Sequence, residues 1–257
     1  VKEHKDPYFS IIIPSYNQAK YLKENLRSIE RQSFSSWEAI IMDGGSTDQS
    51  VEYIKQFALK NKGKVWWQSK RDGGQVQAIN EGIKKAKGVI VSYLNSDDKL
   101  TKNSLEVVHR HFLKNKTDWL YGDCTVSKAE LRWTFFYKSL WSIDKWPKLL
   151  FLLNPINQPS VFLKMSFVKK IGFFDTKYKL AFDYEYWLRC VKKSKPTRIK
   201  TSLSCFRVHK EAKSSLGFEK QFNEELNALR KHRIGDGWYL LHKIHNSFVV
   251  FAYTLLK

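Results

Sequence analysis

The stretch Trp37-Glu38-Ala39-Ile40-Ile41-Met42-Asp43-Gly44-Gly45-Ser46-Thr47-Asp48 carries an apolar run straight into an acidic, glycine-bearing loop. A short apolar run bounded by turn residues reads as a buried strand, and a carboxylate at its end is held rigidly while the tip stays open to a ligand. The same pattern occurs twice nearby. Phe9-Ser10-Ile11-Ile12-Ile13 runs into Pro14-Ser15-Tyr16-Asn17, and Gly88-Val89-Ile90-Val91-Ser92-Tyr93-Leu94 runs into Asn95-Ser96-Asp97-Asp98. Lys64-Val65-Trp66-Trp67-Gln68 is a shorter strand. Between these runs lie segments of helical period. One covers 21–31, with Tyr21, Leu22, Leu26 and Ile29 on one face; another covers about 49–60, with Ser46, Thr47 or Asp48 as its cap; a third lies within 74–86, with Val76, Ile79 and Ile83 spaced for burial. This alternation predicts an α/β fold with a single Rossmann-like, mostly parallel sheet flanked by helices. Ligands on such sheets bind at the carboxyl ends of strands, so the three polar clusters share one edge.

Several classes are excluded. No G-x-G-x-x-G follows the first strand and no G-x-x-x-x-G-K-S/T occurs, which removes dinucleotide and P-loop sites. The chain has 257 residues, 42% of them apolar, enough for one large α/β domain and unlike a disordered or collagen-like composition. Cys124, Cys190 and Cys205 lack close pairing, which argues against a disulfide framework or structural zinc and fits a reducing compartment. The first residues lack the apolar stretch of a secretory signal. The net charge of +20 lies mainly in residues 101–257 and calls for an anionic partner: nucleic acid, an anionic membrane face or a phosphorylated substrate. No zinc-finger spacing or aromatic RNA-binding strand pattern is present, so nucleic acid is not expected.

Further along, 119–123 reads as a strand, 131–153 as an aromatic and basic segment, and Asn157-Gln158-Pro159-Ser160 as the entry to a strand at Val161-Phe162-Leu163. A short helix and a turn at Gly172 follow over 167–174, and Asp183 stands near the start of another helix. Residues 218–233 read as an amphipathic helix, broken at Gly235-Asp236-Gly237. The segment from Trp238 onward is apolar but carries His242, Lys243, His245 and Asn246, which disfavours a free spanning helix. It reads either as an interfacial helix or as one packed on the rest of the chain.

Taken in order, the runs 10–17, 41–48, 72–83, 94–98 and 182–189 resemble family 2 glycosyltransferases of the GT-A fold, of the kind found in bacterial surface polysaccharide biosynthesis. The resemblance implies a catalytic domain over 1–216, with donor binding in about 8–100 and acceptor binding in 101–216, and a helical C-terminal extension over 217–257. It implies inverting transfer from a nucleoside-diphosphate sugar, with uridine diphosphate the expected carrier, to a hydroxyl of a saccharide or lipid-linked saccharide. Pro14, Tyr16, Asn17, Asp43, Arg71, Asp72, Asn95 and Ser96 match donor-side positions. Asp97, Asp98 and His209 match positions for a divalent metal, Mn2+ or Mg2+. Asp183 matches the catalytic base. Gln158, Glu185, Trp187 and Arg207 are acceptor-side or diphosphate candidates. Two departures stand out: Asn95 replaces the usual first aspartate of the metal motif, and Phe182 replaces the usual glutamate before the base. The expected setting is cytoplasmic, with peripheral contact to an anionic membrane. The rival readings are an inactive scaffold of the same fold, a nucleotidylyltransferase and a nucleic-acid-binding protein.

Overall fold

The apolar runs form the centre of an eight-stranded sheet in a computed structural model that describes residues 6–128, 142–209 and 218–255. β1 (Phe9–Ser15) lies between β2 (Trp37–Asp43) and β4 (Ile90–Tyr93), parallel to both, and β2 pairs in parallel with β3 (Val65–Ser69). The register sets Ser15 opposite Asp43, so the loops after β1 and β2 emerge side by side. The other half is mixed. β5 (Lys99–Leu100) and β8 (Thr197–Val208) are antiparallel, β6 (Trp119–Lys128) runs parallel to β8, and β7 (Val161–Lys164) is antiparallel to both β4 and β6. The order is β3-β2-β1-β4-β7-β6-β8-β5.

Alternate residues of the central strands feed two cores, as the two-residue period of a strand requires. Ile12, Ile40 and Met42 enter the core that includes Val76, Ile79 and Ile83 of α3 (Gln75–Lys85). Ile11, Ile13 and Ile41 enter the other, with Leu22, Leu26 and Ile29 of α1 (Ala19–Glu30) and Ile54 of α2 (Ser50–Lys60). The strands are therefore apolar along their whole length. Three elements have no counterpart in the sequence reading, the two-residue β5 among them. α4 (Ser104–Lys114) buries Leu105, Val108 and Phe112 at helical spacing, and β8 has no long apolar run because Ser204 stands buried between Leu203 and Cys205. α5 (Met165–Ile171) ends at Gly172, whose φ of +86° suits glycine.

The C-terminal helices are built onto the same body. α7 (Phe218–Lys231) packs on α6 (Phe182–Lys193), and Glu224 of α7 accepts hydrogen bonds from the N–H groups of Lys179, Leu180 and Ala181 just before α6 begins. α8 (Asp236–Leu255) packs on α7. Among the described residues no helix is long and apolar enough to cross a membrane. Residues 131–141 of the aromatic segment 131–153, and residues 210–215 after His209, lie outside the described residues.

Candidate active site

A cleft of about 870 Å³ opens at the carboxyl ends of β1, β2 and β4. On its first wall Tyr16 is exposed and Pro14, Arg71 and Asp72 stand beside it. Gly44 lets the β2 loop pass beneath them, since a Cβ there would meet Tyr16 Cδ2 at 3.3 Å and Asp72 Oδ2 at 3.4 Å. Asp72 Oδ1 accepts the Gly74 N–H at 2.7 Å where α3 begins, and Gly74 has φ +94°. Two expected donor contacts lie outside this wall. Asp43 is buried and accepts from the Gly45 and Ser46 N–H groups and from the Ser46 and Ser69 hydroxyls. Asn17 accepts the Thr47 N–H at 2.8 Å and donates its own N–H to Ser46 Oγ. Both side chains join neighbouring loops, and the Asp43 carboxylate and the Asn17 Oδ1 are already engaged within the protein. Asp48 does the same for two helix starts, accepting from the N–H groups of Ala19 and Ser50.

The floor is a chain of amides. Gln75 Nε2 donates to Asn95 Oδ1 at 2.7 Å, Asn95 Nδ2 to Gln158 Oε1 at 3.4 Å, and Gln158 Nε2 to the Tyr93 carbonyl at 2.7 Å. Asn25 fixes the loop from below by donating to the carbonyls of Asn95 and Asp98. Ser96 and Asp97 also line the cleft.

Asp97 Oδ2 lies 3.1 Å from His209 Nε2. The His209 ring packs on Tyr21 at 4.5 Å between centres, and the Arg207 guanidinium lies 4.8 Å from the same tyrosine ring and bonds Glu24 at 2.9 Å. Arg207 thus faces away from the cleft wall, and its N–H donates to Asp98 Oδ1. Asp98 is fully buried behind the cleft lining, in reach of the Arg207 backbone rather than of the cleft itself. Burial, then the charge of Asp97, pushes its carboxyl well above the usual range, against the opposing Arg207 N–H and Asn95. No group of three or more His, Cys, Asp or Glu side chains able to hold a metal occurs among the described residues. A magnesium-type ion seldom needs one: it keeps waters and takes phosphate oxygens beside one or two protein ligands. The Asp97 carboxylate with the His209 imidazole fits that requirement.

Asp183 also lines the cleft, in the first turn of α6, where its Oδ1 accepts the Tyr184 N–H at 2.7 Å. A helix N-terminus favours the ionised carboxylate. Phe182 beside it is buried against Tyr93 and Phe174, so the departure from glutamate fills an apolar corner. The Tyr93 phenol is held well above its ordinary value by burial, then by the charges of Asp183 and Asp98. Lys179, Asn154, Asn157 and Gln221 line the cleft as well and were not singled out in the sequence. Lys179 stands four residues before Asp183, the one local signal available; Gln221 arrives from α7. Glu185 and Trp187 lie elsewhere. Glu185 is buried against Arg189, Lys231 and His232, and Trp187 stacks on Trp119 at 5.7 Å.

A largely parallel sheet with an open cleft at its carboxyl edge, lined by Asp97 and Asp183, and a carboxylate–imidazole pair beside it make up a GT-A-like architecture. The glycosyl transferase family 2 profile matches residues 10–171, and the chain belongs to that family. It is 30% identical over 186 residues to a PGL/p-HBAD biosynthesis glycosyltransferase of Mycobacterium tuberculosis, covering 72% of this chain and 70% of that one. It is 27% identical over 250 residues to an uncharacterized glycosyltransferase of Haemophilus influenzae, covering 95% of this chain and 97% of that one. Among solved structures, S. aureus TarS 1–349 in complex with UDP-GlcNAc superposes with a TM-score of 0.69 at 20% identity, covering 89% of this chain and 67% of that one. The mannosyltransferase PcManGT from Pyrobaculum calidifontis, in complex with GDP-Man and Mn2+, gives 0.69 at 17% identity, covering 90% and 66%. The chain spans 40% of the longer TarS structure. At these identities the superpositions speak for the fold.

Proposed function

We propose that this chain moves a sugar from a nucleoside-diphosphate sugar to a hydroxyl of a saccharide or lipid-linked saccharide, with inversion at the anomeric carbon. The observation that supports the reading is that Asp97 and Asp183 line one cleft with room for a nucleotide sugar. Pro14, Tyr16 and the Gly44 backbone offer a flat, partly apolar seat for the nucleoside, and Asp72 offers acceptors for its hydroxyls. Arg71 and Lys179 bring positive charge to the cleft that receives the diphosphate. Asp97 and His209 would hold Mn2+ or Mg2+. When bound, such an ion stabilises the negative charge that develops on the leaving diphosphate.

Asp183 takes the proton from the acceptor hydroxyl as its oxygen attacks the anomeric carbon. Attack comes from the face opposite the leaving diphosphate, which inverts the configuration as oxocarbenium character develops at the sugar carbon. Asp183 stands at a helix start, where the helix dipole favours negative charge. Ser96, Asn95 and Gln158 present hydrogen-bonding groups along the floor for sugar or ribose hydroxyls. Asp43 and Asn17 hold the loops that shape the nucleoside seat, and Arg207 steadies Asp98 and the ring stack beneath His209. The resemblance to enzymes of bacterial surface polysaccharide biosynthesis motivates a lipid-linked acceptor on a cytoplasmic membrane face.

The test is calorimetric binding of uridine, guanosine and thymidine diphosphates and their sugars, with and without manganese. Metal-dependent selection of one nucleotide supports the reading. Binding of none, under conditions where the chain is folded, contradicts it.

A further inference from the structure

We propose that the outward face of α8, together with Lys145, Trp146 and Lys148, is a docking surface for an anionic lipid bilayer. The inward face of α8 is held to the body of the chain at His242 and Asn246. His242 lies between Glu225 Oε2 and the Phe151 carbonyl, each at 3.1 Å, and Asn246 donates to the same Glu225 oxygen. The outward face carries Leu240, Leu241, Ile244 and Phe248, which are 56%, 49%, 57% and 68% exposed. At 3.6 residues per turn these four fall on one arc of about 100°. A contiguous apolar stripe turned to solvent marks an interaction surface.

The charge around the stripe selects the partner. Lys243 borders it on one side and His245 on the other, and no acidic residue follows Asp236 along α8. The short 3₁₀ turn Pro147–Phe151 packs against α8, with the Phe151 and Trp238 rings 5.9 Å apart. Lys145 and Trp146 just before that turn and Lys148 within it are exposed, Trp146 by 67%. An indole with an apolar body and one N–H suits the headgroup level of a bilayer, and lysines beside it are drawn to anionic lipid. A second copy of the chain is a poor occupant, because a two-fold contact would bring two strongly basic molecules together with no acidic row to meet the lysines.

Position ties the surface to the site. Past the turn, the same segment supplies Asn154, Ile156 and Asn157 to the cleft wall. A bilayer seated on α8 and Trp146 therefore lies at the lip where an acceptor enters. The inference deepens the proposed reading by naming how a lipid-linked acceptor is met, and its test does not depend on transfer.

The test is flotation of the full chain with phosphatidylcholine vesicles, with and without one third phosphatidylglycerol, at low and high salt. Binding is expected only with the anionic lipid and is expected to weaken with salt. Ile244→Asp with Phe248→Asp should reduce it at least about tenfold, and Lys145→Glu with Lys148→Glu by a similar factor. These positions are exposed, so melting temperature and nucleotide-sugar binding in solution should match the parent. Undiminished flotation of both variants overturns the proposal. So does a parent that ignores anionic vesicles, or one that forms a dimer in light scattering which the Ile244→Asp and Phe248→Asp variant dissolves. Loss of nucleotide binding in the parent would instead sink the glycosyl-transfer reading, leaving the vesicle result to stand by itself.

Discussion

Asn95 donates to Gln158 while it accepts from Gln75, and this polarity is set by a backbone carbonyl. Tyr93 C=O can only accept, so Gln158 must turn its NH₂ toward it and its Oε1 toward Asn95. Asn95 must then supply an NH₂, which leaves its oxygen for Gln75. An aspartate at 95, the residue the family resemblance leads one to expect, would set two acceptors face to face. Asn95→Asp should therefore weaken nucleotide-sugar binding by roughly tenfold, a loss of about 1–3 kcal/mol for an unmatched buried polar group. Isothermal titration checks it; parent-like affinity would mean that the amide chain does not shape the donor site.

The carboxylate–imidazole pair predicts a metal effect separable from chemistry. Asp97→Ala and His209→Ala should each weaken manganese binding in the presence of a nucleoside diphosphate, by about tenfold or more. Paramagnetic resonance of Mn2+ reads this directly without an acceptor. Unchanged affinity in both variants would place the ion elsewhere.

Glu185 predicts an acid limit to stability. Burial alone would raise its carboxyl, but hydrogen bonds from His232 and Lys231 and the charge of Arg189 hold it below its ordinary value of 4.5. The unfolded chain therefore binds this proton more readily than the folded one. The stabilisation is complete above the ordinary glutamate range and is lost as pH falls below it through the folded value. Melting temperature should drop on acidification in that window, and Glu185→Gln should flatten the drop while costing about 1–3 kcal/mol at neutral pH. A Glu185→Gln profile parallel to the parent would contradict this.

Glu224 predicts that α7 belongs to the catalytic body. Its carboxylate accepts three consecutive N–H groups ahead of the helix that begins with Phe182 and Asp183. Glu224→Ala should cost about 1–3 kcal/mol in chemical denaturation, because it strands those donors. It should also lower turnover by shifting the start of α6. Parent-like stability and turnover would leave α7 a detachable appendage.

The central strands were legible because burial on both faces writes an unbroken apolar run at Ile11–Ile13, Ile40–Met42 and Ile90–Val91. β8 was not: Ser204 is buried yet bonded to Ser160 at 2.6 Å, a pairing that depends on a residue far along the chain. The same distance hid which acids were already engaged. Asp43 meets Ser69 and Glu185 meets Lys231, and no local pattern announces either contact. Asp97 and Asp98 are neighbours in sequence, yet one opens to the cleft and the other turns behind it. Lys179 and Gln221 reach the cleft through tertiary packing alone, which is why motif spacing passed over them.

The most direct test of the central claim compares sugar transfer and donor binding in the same Asp183→Asn protein. The account predicts a loss of about 10²–10⁴-fold in turnover, the usual worth of a general base, with donor affinity and manganese dependence preserved. Transfer at the parent rate would remove Asp183 as the base and with it the proposed mechanism.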